Sequence, residues 1–72
     1  MTPKERHAAD ASLQAAALRH YAVMCRNKAD AIARGTDRPN IPECDVTWLL
    51  GKAERADTLA NAYERLEVAA LS

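Results

Sequence analysis

The chain has 72 residues, ten Lys/Arg against ten Asp/Glu and a formal net charge of zero. That length allows one small domain, and the charge balance argues against a strongly basic nucleic-acid or membrane-surface binder and against an acidic nucleic-acid mimic. Three aromatic residues, no Phe, two Gly and sixteen Ala leave too little β-branched and aromatic material for a sandwich or barrel, so the composition predicts an all-α protein.

The first element begins at Thr2-Pro3-Lys4-Glu5. Thr2 is placed to accept the N–H of Glu5 while Glu5 reaches back, a capping box. Pro3 stands at the first helical position, where its missing N–H costs nothing. Arg34-Gly35 is a stop signal. The spacing predicts a helix over 3–34, about 48 Å long at about 1.5 Å per residue. Inside it Ala8, Ala11, Ala15, Leu18, Ala22, Cys25, Ala29 and Ile32 recur at alternating steps of three and four, an unbroken heptad seam. Five of these eight are alanine, so a partner helix can approach more closely than the usual 8–10 Å or so. A second stripe, Leu13, Ala17, Tyr21, Met24 and Ala31, widens the apolar arc beyond what one partner covers.

Residues 35–44, with one Gly and two Pro, predict a loop. The second helix is expected over about 45–71, with Asp45 as cap or Pro42 in its first turn. Its inward stripe is Val46, Leu49, Ala53, Ala56, Leu59/Ala60, Tyr63, Leu66 and Ala70. Gly51 costs such a helix about 1 kcal/mol against alanine; it reads as simple tolerance or as a close approach by another backbone. A short connection makes the helices antiparallel neighbours. Residues 1–40 carry seven basic and four acidic side chains, net +3; residues 41–72 carry three and six, net −3. The pairing of helices is therefore favoured electrostatically.

A two-helix hairpin hides one seam only, and a core this small rarely supplies more than about 3–5 kcal/mol without a staple. Self-association into a multi-chain helical bundle or ring is expected, through a seam of Ala8, Ala11, Ala15, Leu18, Ala22, Cys25, Ala29, Ile32, Leu49, Ala56 and Tyr63. Trp48 and Leu50 are the expected anchors for a different protein, a host component.

Other chemistry has little footing. The polar N-terminus predicts no leader peptide, and no apolar run approaches a membrane span. A cytoplasmic protein with reduced thiols is expected. Equal rise per residue puts Cys25 about 14 Å below the turn and Cys44 at it, which predicts no bond between them. No Cys-x-x-Cys or His-x-x-x-His spacing suggests a metal, and no cofactor is expected. No nucleophile has a visible base, which predicts a non-enzyme. Arg19, Tyr21, Arg26 and Lys28 form a cationic and stacking set suited to a nucleotide. A small RNA-binding bundle is the further alternative, disfavoured by zero net charge.

The pattern Asp45-x-x-Trp48, Gly51-Lys52 and Leu59-x-x-Ala62-Tyr63-x-x-Leu66 resembles the second helix of the phage anti-CBASS cyclic-nucleotide sponges. The resemblance covers residues 45–66; the first helix carries no match. It implies a two-helix protein that forms hexamers and sequesters defence signals without catalysis. The reading preferred from the residues themselves is a binding and assembly protein, a phage or mobile-element accessory that neutralises a host component; the sponge is the alternative.

Overall fold

In a computed structural model covering residues 1–72, two helices account for the fold: α1, Pro3–Ala33, and α2, Val46–Leu71. They pack antiparallel as a rod of 49 × 17 × 17 Å.

Both helix starts follow local chemistry. Thr2 adopts an extended conformation and its Oγ1 accepts the Glu5 N–H at 3.1 Å. The reciprocal half of the expected capping box is absent, because Glu5 makes no hydrogen bond back to Thr2. Asp45, not Pro42, opens α2: its Oδ1 accepts the Trp48 N–H at 2.9 Å. At the other end of α1, Gly35 has φ +79°, where a side chain would be strained. That reversal lets the N–H groups of Gly35 and Thr36 satisfy the carbonyls of Ile32 and Ala31 at 3.0 and 2.9 Å. Lys28 then ties the loop down through Asp37 at 2.7 Å.

The heptad seam of α1 is the one that packs. Ala8, Ala11, Ala15, Ala22, Cys25 and Ala29 are buried; Leu18 and Ile32 are half-buried against the same interface. From α2 come Leu49, Ala53, Ala56 and Ala60. Ala22, Ala53 and Ala60 are fully sealed from solvent, which requires the two backbones to lie close together. Val46, Tyr63 and Ala70 are half-buried, whereas Leu59 and Leu66, also expected inward, are exposed. Helical geometry gives the reason. Residues 53, 56, 60 and 63 already fill the facing stripe, and 59 and 66 lie one step around the helix, on its flank. A methyl group added at Gly51 would meet nothing within 4 Å, so tolerance, and not close approach, accounts for this glycine within the hairpin.

Candidate functional site

The seam has two edges, and they differ. On α1 the inward positions are flanked on one side by Ser12, Arg19, Arg26 and Ala33, on the other by His7, Gln14, Tyr21 and Lys28. On α2 the matching flanks are Leu50, Asp57 and Glu64, and Lys52, Leu59 and Leu66. Antiparallel packing brings the first flank of α1 against the first flank of α2, and the second against the second.

The first edge is electrostatically closed. Arg19 bonds Glu64 through Nε at 2.7 Å and through Nη2, which also donates to Asn61 at 2.7 Å; its Nη1 lies 3.5 Å from Asp57. Arg26 reaches the other oxygen of Asp57 at 2.6 Å. Here the +3 and −3 halves meet. Each pair is half-exposed to water, so the stabilisation is modest, about 0–1 kcal/mol per pair.

The second edge is apolar and open. Three shallow grooves follow one another along it. At the open end of the hairpin a groove of about 250 Å³ lies between His7, Asp10, Gln14, Tyr63 and Leu66. In the middle one of about 200 Å³ is bounded by Leu18, Tyr21, Lys52, Arg55 and Leu59. Beside the turn one of about 280 Å³ is bounded by Tyr21, Met24, Cys25, Lys28, Cys44 and Trp48. Tyr21 joins the last two. Lys52 places its ammonium 5.2 Å from the Trp48 ring centroid, a cation–π contact. Tyr21, Met24, Trp48, Leu59 and Leu66 all stand exposed along this edge.

The turn-side groove also holds both cysteines. Each is a free thiol, and both line this one groove, Cys25 from α1 and Cys44 from the end of the 35–44 segment. The neighbouring Cys25 thiol, then burial, then the charge of the two sulfurs push the Tyr21 hydroxyl above its ordinary pKa. No group of three or more His, Cys, Asp or Glu is arranged to hold a metal ion.

The four residues expected to form a nucleotide pocket divide between the edges. Arg19 and Arg26 are engaged with acidic partners on the closed edge, and Tyr21 and Lys28 lie on the open one, with Lys28 held by Asp37. Trp48 and Leu50 likewise diverge. Two residues along a helix are about 200° apart, so Trp48 faces the open edge and Leu50 the charged one. Lys52, Leu59 and Leu66 flank Trp48 along one row of α2, and their spacing of seven is visible in the sequence once the inward stripe is assigned to Ala60 instead of Leu59.

The chain matches no family model, no curated protein and no solved structure.

Proposed function

We propose that this hairpin works by binding and not by catalysis: it is an assembly module that associates with copies of itself, and the assembled form engages a protein of the host as a phage or mobile-element accessory. One contrast carries the reading. The buried core is eight alanines, Cys25 and Leu49, whereas Tyr21, Met24, Trp48, Leu59 and Leu66 stand exposed together along the open edge. Apolar surface costs about 25 cal/mol for each Å² left in water, and contiguous exposed patches on small proteins mark interaction sites. Covering the open edge supplies the burial that the alanine seam lacks.

Sedimentation velocity over a concentration series tests this directly. Species heavier than the 7.9 kDa chain are expected to dominate at micromolar concentration. A single species of monomer mass throughout, melting sharply, refutes the proposal. Capture of a defined host protein by the associated form but not by an association-defective variant is the expected second step.

A further inference from the structure

The chain has two cysteines, and both line the turn-side groove. Cys25 reaches it from the buried seam of α1 and Cys44 from the residue before the Asp45 cap of α2, so two segments far apart in sequence converge on one space of about 280 Å³. Neither sulfur is spent in a disulfide. A third sulfur joins them, because the exposed Met24 thioether lines the same groove. Both cysteine sulfurs act on the one Tyr21 hydroxyl, which sets them in a common neighbourhood. Trp48 and Leu49 add apolar wall, no carboxylate or imidazole lines the groove, and its one cation is Lys28.

That donor set selects its ligand. Structural zinc takes four Cys, His or carboxylate ligands, and no group of even three is arranged here. Calcium and magnesium demand oxygen ligands. Thiolate and thioether sulfur select a soft cation, Cu(I) foremost, and a monovalent d10 ion is satisfied by two or three such donors. We propose that Cys25 and Cys44, with Met24 as a third and weaker donor, form a site for one Cu(I) ion within a single hairpin. Each thiol releases its proton as its sulfur bonds the metal, so two protons leave for each ion taken up and no electron is transferred. The filled site carries one net negative charge, and Lys28, itself bonded to Asp37, is the cation in the wall that offsets it. All three donors belong to one chain, so the site stands apart from self-association and neither requires nor opposes it.

Competition against a copper chelator tests the site, without oxygen and with ascorbate in place of a thiol reductant. The chain is expected to withdraw one Cu(I) per hairpin from bathocuproine disulfonate. An ultraviolet sulfur-to-copper absorption is expected to grow in parallel, with quenching of Trp48, the one tryptophan, whose ring lines the groove. Outer partners of a bound metal usually carry about 10–100-fold in affinity; as direct ligands, Cys25→Ala and Cys44→Ser are each expected to cost about 100-fold or more, and Met24→Leu about 10-fold. Cys25→Ala only adds another alanine to the alanine seam, and Cys44 lies outside both helices, so circular dichroism is expected to stay that of the parent. Failure to compete with the chelator, an affinity unchanged in Cys44→Ser, or one ion held between two chains by sedimentation with metal analysis overturns the proposal.

Discussion

The two edges of the hairpin share one seam and one pair of helices, yet they solve the same problem differently. On the charged edge, Arg19 and Arg26 bridge to Asp57, Asn61 and Glu64, so the flank residues satisfy one another within a single chain. On the open edge, Tyr21 faces Leu59 and Lys52 across a groove, and neither side completes the other. The lesson is that internal ion pairing marks the surface a hairpin finishes alone, and a groove of exposed leucine and aromatic side chains marks the one it does not. That difference is breakable from either side.

The largest effect is expected on the open edge. Leu59 and Leu66 are exposed in the hairpin, so Leu59→Glu/Leu66→Glu leaves the alanine seam intact. Each leucine contributes about 1.5–3 kcal/mol when fully covered, so losing two from each copy is expected to raise the dissociation constant by more than about 100-fold. Sedimentation gives the constant and circular dichroism checks that the helices persist. If the double variant associates as well as the parent, the open edge is not the association surface.

A change in the seam attacks both edges together. Ala53 is fully buried at the helix–helix contact. Ala53→Leu pushes the axes apart there and is expected to destabilise by about 1–3 kcal/mol, read as a lower urea midpoint with a nearly unchanged slope. The charged edge loses registry as well: Arg26 and Asp57 sit across the seam on either side of this contact.

On the charged edge the effect is smaller. Arg19→Ala releases Glu64, Asn61 and one contact of Asp57 at once, but all lie in water-exposed positions. A loss of about 1 kcal/mol or less is expected in low salt, shrinking further at 1 M salt, where the screening length is about 3 Å. Association is expected to be untouched. An Arg19→Ala chain that falls apart into monomers reverses the assignment of the two edges.

How far the molecule is legible in its sequence follows the same division. Helix ends, caps and the α1 seam depend on local chemistry and on a repeat of three and four, and both are written in adjacent letters: Thr2, Gly35, Asp45 and the run from Ala8 to Ile32. The choice between Leu59 and Ala60 is not, because consecutive apolar residues fit either face until the alanine-to-alanine approach picks the smaller. The grouping of site residues is less legible still. Arg19 and Tyr21 are two letters apart, and they end on opposite edges because a helix turns about 200° over two residues. That Cys25 and Cys44 line one groove depends on the course of the 35–44 segment, which helical periodicity does not contain.

The smallest expected effect belongs to that groove and sharpens the comparison chemically. The Tyr21 hydroxyl is raised above its ordinary pKa of 10.0, first by the neighbouring Cys25 thiol and then by burial and the charge of the two sulfurs. A group whose folded pKa is raised contributes stability that is whole below the unfolded value and disappears as pH climbs through the folded one. Asp37, held low by Lys28 and by the Arg38 N–H, does the reverse: its contribution exists above the ordinary 3.8 and is lost as pH falls through the lowered value. In a Tyr63→Phe chain, Tyr21 is the only phenol, and its absorbance titration near 295 nm is expected to have a midpoint above 10. Cys25→Ala in that background removes the first cause and is expected to bring the midpoint down, with helicity followed in parallel so that alkaline unfolding is not mistaken for titration. A midpoint indifferent to Cys25 means the hydroxyl points out of the groove. The open edge then presents its phenol to whatever covers it, and does not commit it to the hairpin's own sulfur.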